Sequence, residues 1–275
     1  MLTTATIGAM TAGVSLEALP ERARAAWLAL ADALRGILGD DLVAIWAHGG
    51  TIAIKDAPHA ADLDTHVIVA RQPDEATARR IEEAQDALAR DHDVEWDTWY
   101  VLAAEARRAD PPHHAFRQGR RDTSWAIHRA HWLAGRCIAL HGPGPAALVP
   151  EPTWPELETE LDRELEHIER HVLEGDTDPF EATYAILNGS RILHAVETGS
   201  VVLSKAAAGR WALEQLPDRW HPAVRAATRA YLGQATAEDR QLLSSEMAPF
   251  VAYVRERLPA VEPRSPDATP RWSGS

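Results

Sequence analysis

From Pro150 onward the chain carries helix signals and no strand signal, and this change of texture most limits what it can fold into. Thr153 with Glu156, and Asp178 with Pro179 and Glu181, form capping-box patterns, in which the first side chain accepts a backbone N–H and the glutamate reaches back. Gly199 closes the second of these helices, Ser204 opens LSKAAAGRWALEQL, Gly233 closes HPAVRAATRAYLG, and Thr236 with Asp239 opens the last. The pattern predicts about five helices packed as a bundle.

Upstream the texture is mixed. ERARAAWLALADALRGILG has apolar residues at helical spacing and ends in Gly39, which predicts a helix from about Glu21 to Leu38. DLVAIWAHGG and DLDTHVIVA read as short strands, PDEATARRIEEAQDALAR as a charged amphipathic helix, and VEWDTWYVL as a third strand. A helical patch from Ser124 to Leu133 then leads to a last short strand in RCIALHGPGP. With 275 residues and 45% hydrophobic content, two cores are expected rather than one. The boundaries predicted are an α+β domain with a mixed sheet over 1–150, an all-α helical bundle over 151–260, and a proline-rich, disordered tail over 261–275.

Twenty-eight Lys and Arg against 41 Asp and Glu leave a balance of −13, which argues against a nucleic-acid or anionic-membrane binder. A single cysteine, Cys137, excludes an intrachain disulfide and a thiolate cluster, and no apolar run reaches the ~20 residues that span a bilayer. A soluble, cytoplasmic protein is expected, with a monomer favoured. The acids are not evenly spread. Asp62 and Asp64 stand one residue apart at the mouth of an apolar strand, so they share a face and repel unless something positive sits between them. Glu95 and Asp97 repeat the pattern on a second strand. Hard oxygen ligands at this density suit Mg²⁺, which takes one or two carboxylates and fills its shell with water and phosphate oxygens. The Gly49-Gly50 turn upstream would let backbone N–H groups approach such phosphates.

HGG, ADLDTHVIV and the acid in VEWDTWYVL resemble the DNA polymerase β-like nucleotidyltransferases, with their glycine turn, DxD and third carboxylate. The stretch from LNGSRILHAVETGS through SKAAAGRWALEQLP to AYLG is similar to the C-terminal helical domain of the streptomycin and spectinomycin adenylyltransferases, and the likeness covers most of 40–258. That resemblance implies a nucleotidyltransferase domain over 1–150 and AMP transfer from ATP, with Mg²⁺, to a hydroxyl of a cationic aminoglycoside or aminocyclitol. Asp62, Asp64 and Glu95 would hold metal, and Glu95 would also be the base. Gly49, Gly50, Thr51, Arg191, Lys205 and Tyr231 would bind nucleotide, and Glu95, Trp99 and Glu181 the acceptor. Lys205 is one of only two lysines in the chain. Two departures stand out: Gly50 and Ala61 replace the family's usual serines, with Thr51 a substitute for the first, and the family's tryptophan against streptomycin has no equivalent near HHAFRQGRR. The rival readings are a different small-molecule or protein hydroxyl as acceptor, and an inactive nucleotide-binding relative. Three further features are read as structural: His167 and His171, four apart, as a solvated helix face; HGPG at 141–144 as a strand-ending turn; and most tryptophans as core, with Trp96 and Trp99 near enough the acids to stack on a ligand.

Overall fold

A computed structural model describes residues 14–53, 62–111, 124–175 and 178–258. The expected tail, Ala61 and the HHAFRQGRR segment lie outside the described residues. Helix α1 (Glu21–Leu38) buries Ala23, Trp27, Leu30, Leu34 and Leu38 on one stripe and ends at Gly39, whose φ of 53° suits glycine. It is followed by β1 (Leu42–Ala47), the short helix α2 (Gly50–Ala53), β2 (Asp62–Val69), α3 (Glu75–His92) and β3 (Glu95–Leu102). Then come α4 (Trp125–Leu133), β4 (Ile138–His141) and α5 (Pro145–Leu148).

The sheet runs in the order β3-β2-β1-β4. β2 and β3 are parallel, with α3 as the crossover that a parallel pair requires, and the other two pairings are antiparallel. The sheet is therefore mixed. Because side chains alternate along a strand, Ile45, Val67 and Tyr100 pack on the face covered by α1 and α3, while Trp46, Ile68 and Val101 pack with Trp125 and Trp132 of α4 on the other. Asp62, Asp64 and His66 follow the period of Ile68, so the acids project on the α4 side. The turn after β4 ends the strand as expected, with Gly142 at φ 66° and the Trp46 indole donating to the Pro143 carbonyl.

Five helices follow: α6 (Trp154–Leu173), α7 (Pro179–Thr198), α8 (Lys205–Gln215), α9 (His221–Tyr231) and α10 (Ala237–Arg255). α7 packs against the other four and is buried nearly all round from Ala182 to Ala195, which its small residues allow. At Gly189 a Cβ would come within 2.9 Å of Phe250 of α10. Two of the three caps follow the sequence reading: the Glu156 carboxylate takes the Thr153 N–H, and Thr236 and Asp239 exchange hydrogen bonds reciprocally. The third is only half made. Asp178 accepts from the Phe180 N–H, but Glu181 turns away toward His171.

The helix α4 joins the two halves. Its first-turn Ala126 and Ile127 N–H groups, which have no partner within their own helix, both donate to the Glu160 carboxylate of α6 at 2.8 Å. Arg129, buried at the next turn, donates to Glu156 at 2.7 Å and to the Pro150 carbonyl. Glu160→Ala should lower unfolding free energy by about 1–3 kcal/mol, because it strands buried donors, and denaturant melts should show Glu160→Gln losing less.

Candidate active site

The parallel register sets the acids in two rows, Asp62 beside Glu95 and Asp64 beside Asp97. Glu95, expected as the third carboxylate, thus sits opposite Asp62 at the exposed start of β3, whereas the place next to the more deeply set Asp64 belongs to Asp97. Burial, then Asp62, then Asp97 push the Asp64 carboxyl up to about 7. Asp62 is raised as well, by burial and then by Asp97. Asp64 can sit this deep because residue 49 is glycine: its φ is 83°, and a Cβ there would overlap the Asp64 carboxylate. The backbone fixes the approach, since the His48 N–H donates to the Asp64 carbonyl at 3.0 Å. Gly49 is thus a close-approach residue, and Gly50 begins α2 rather than completing a turn.

The bundle supplies the opposite wall. Lys205, at the start of α8, sits with its ammonium 4.8 Å from the Tyr184 ring and 6.0 Å from the Tyr231 ring. Its charge lowers the pKa of both Asp62 and Asp64, while burial, then Arg191, lower its own. Tyr231 closes the circuit, with its hydroxyl 3.4 Å from where a Gly50 Cβ would lie. Arg191 is enclosed on α7, donating to Asn188 at 3.0 Å and lying 3.3 Å from His131 Nε2. Of the residues expected to bind nucleotide, Gly49, Lys205 and Tyr231 therefore meet the carboxylates, Gly50 meets Tyr231, and Arg191 acts on Lys205 and Tyr231 behind them. The Thr51 hydroxyl is buried and donates to the Asp62 carbonyl at 3.1 Å, so it anchors the start of β2.

The expected acceptor residues are more scattered. Glu181 lies 3.9 Å from His171 and its charge acts on Tyr184, whose hydroxyl donates to Glu164 at 2.7 Å. Glu181 therefore continues the wall formed by Tyr184 and Lys205. Trp99 shares the Asp97 face but is only 8% exposed, too enclosed to stack on a ligand. Trp96 points to the opposite face and donates to the Gln85 carbonyl. His167 and His171 are half-buried in contact with each other at 4.8 Å, and His167 lies edge-on to Tyr184, so they form a packed pair rather than a solvated face.

A histidine layer beneath the carboxylates was not foreseen. His48 Nε2 and His66 Nδ1 lie 2.7 Å apart, and His128 of α4 stands 4.9 and 5.2 Å from their rings. Through His128 this layer lowers the pKa of Asp64. The signal was present: His66 is two residues beyond Asp64 on the same strand face, and His48 precedes Gly49.

The donor set suits a divalent cation. Two crowded carboxylates favour protonation only while nothing positive shares the site, and Mg²⁺ suits just such a pair, together with phosphate oxygens and water. Among the described residues no cage of three or more His, Cys, Asp or Glu ligands is preformed. No described helix is long and apolar enough to cross a membrane.

Residues 158–257 match the family model for "Aminoglycoside adenylyltransferase, C-terminal domain". Comparison with curated proteins gives no match. Among solved structures, the chain is similar to the crystal structure of spectinomycin adenyltransferase AAD(9) from Enterococcus faecialis with ATP and spectinomycin. The TM-score is 0.66 at 17% identity, over 85% of this chain and 98% of that one. The mixed sheet with its facing helical bundle is therefore the fold that the two chains share. This chain's helical half is thus similar to the C-terminal domain of the aminoglycoside adenylyltransferases.

The raised carboxyl of Asp64 gives a stability test. Its folded pKa exceeds the unfolded value, so the native state holds the extra proton between about pH 4 and 7, and stability falls as pH rises through that window. Without metal, Asp64→Asn should melt higher than the parent chain at pH 8, and the gain should vanish by pH 4; Mg²⁺ should stabilise only the parent.

Proposed function

We propose that the protein transfers AMP from Mg²⁺-ATP to a hydroxyl of an aminoglycoside or aminocyclitol, releasing pyrophosphate. The observation that carries this reading is the crowded Asp62–Asp64 pair, half-buried at Asp64 and open at Asp62, whose charges Lys205 and Tyr231 of the bundle meet. The bundle's match to an aminoglycoside adenylyltransferase domain and the likeness to a structure bearing ATP and spectinomycin support it.

Asp62 and Asp64 would hold Mg²⁺, which when bound polarises the phosphates and screens their charge from the attacking oxygen. Asp97, beside Asp64, takes over the third-carboxylate role and the base that removes the acceptor proton. Glu95, exposed at the strand start, is left to bind an ammonium of the acceptor, with Glu181 doing the same from the bundle. Lys205 and Arg191 bind phosphate, and Tyr231 and the Gly49–Gly50 backbone shape the floor. Acidic side chains around a site in a chain of net charge −13 favour a polycation over an anionic acceptor.

A pyrophosphate-release assay with Mg²⁺-ATP and a panel of aminoglycosides and aminocyclitols should show turnover that needs both substrates. ATP binding with no release on any acceptor would end the reading. In the same assay Asp97→Asn should cost about 10²–10⁴ in single-turnover rate, whereas Glu95→Gln should chiefly raise the acceptor KM. The reverse pattern would return the base to Glu95.

A further inference from the structure

Arg191 is enclosed, yet its guanidinium is only partly used. Nη1 donates to Asn188 Oδ1 at 3.0 Å, Nη2 lies 3.3 Å from His131 Nε2, and the buried Nε has no hydrogen-bond partner. That same His131 nitrogen is 3.0 Å from the Val201 carbonyl. One ring nitrogen cannot donate to the carbonyl and accept from the guanidinium at once, so either the Arg191 Nη2 or the Val201 carbonyl loses this partner, and the Arg191 Nε is left over in both tautomers. His131 is neutral, since burial, then the charges of Arg191 and Arg136, hold its pKa well below the usual range.

Arg136 completes the pattern. Its backbone N–H donates to the His131 carbonyl at 3.0 Å, and it precedes β4 by two residues. Ile138 of β4 pairs with Ala47 of β1, so Arg136 stands at the end of the sheet that carries His48, Gly49 and the acids. Its side chain is half-buried, has no ion pair or hydrogen bond among the described residues, and is depressed in pKa by burial and then by Arg191. Arg191 in turn depresses Lys205. Three cations thus gather where one guanidinium has an unanswered buried donor. An anion placed among them would turn mutual repulsion into shared attraction and supply the missing acceptor.

We propose that Arg136 is a further phosphate-binding residue of this site, gripping with Arg191 the β- and γ-phosphates, and that His131 is the positioning residue that holds the two guanidiniums apart. This rests on the adenylyl-transfer reading. In that reaction the bond from the α-phosphorus to the bridging oxygen breaks, and its electron pair stays with the departing pyrophosphate. The acceptor oxygen forms the new bond and its proton passes to a carboxylate. Arg136 and Arg191 neutralise charge on the leaving group, which ATP and free pyrophosphate share and adenosine lacks.

Calorimetry on the full chain with Mg²⁺-ATP, magnesium pyrophosphate and adenosine tests this. Arg136→Gln should weaken ATP and pyrophosphate about 10-fold to 100-fold, as expected for loss of a charge-assisted contact, and leave adenosine unchanged. Arg136→Lys should recover part of the loss, and melting temperatures should show both variants folded. His131→Leu should raise the KM for ATP more than it lowers kcat, and in an Arg191→Gln background it should add no further loss, whereas a merely structural role would add. Unchanged pyrophosphate affinity in Arg136→Gln, with Arg191→Gln impaired, overturns the proposal and leaves the nucleotide site standing. A parent chain that binds neither ATP nor pyrophosphate overturns both.

Discussion

Asp64 sits where a carboxylate should not be comfortable: half-buried, beside Asp62 and Asp97, with the charges of His128 and Lys205 only partly offsetting them. Much of the architecture around it follows from that burial. Gly49 gives it room, the His48 N–H pins its backbone, the histidine layer supports it from below, and Lys205 answers it from the bundle. A sheet edge this negative and a helical wall carrying Arg191 and Lys205 attract each other, so these charges also help to hold the two halves together. Their attraction is incomplete, and the proposed Mg²⁺-ATP, a cation bound to an anion, would answer both sides at once.

Much of the fold was legible from local chemistry. The ends of α1, the caps at Thr153 and Thr236, and the alternation of VEWDTWYVL each depend on residues close in sequence, and each formed where the pattern put it. The grouping of the acids on one strand face was legible, but their register was not. Glu95 and Asp97 are equivalent on the page, both on one strand face; only the parallel pairing, set by a crossover through α3, decides which of them stands beside Asp64. The Thr51 hydroxyl and the Trp96 indole were likewise assigned by nearness in sequence, and tertiary packing gave them to the backbone instead.

What sequence reading passed over is concentrated in α4. WAIHRAHWL offers no motif, yet its N-terminus is capped by Glu160 of the bundle, His128 backs the carboxylates and His131 meets Arg191. A single helix therefore touches both charge systems of the site. Its two tryptophans belong to the sheet's packing, while Ala126 belongs to the bundle's. No periodicity argument could assign such a helix to one side, because it serves both.

The glycine at residue 49 also limits how this site can change over time. Most positions around a binding cleft can drift, since a neighbouring side chain gives way to a newcomer. Here the neighbour is the carboxylate itself, and the backbone already holds a left-handed turn that only glycine takes freely. Any variant that adds a side chain at residue 49 must displace Asp64. Residues 49 and 64 thus form one inherited unit, and a mutational library of this cleft would find its tolerance on the bundle wall, around Glu181 and Tyr184, rather than at Gly49.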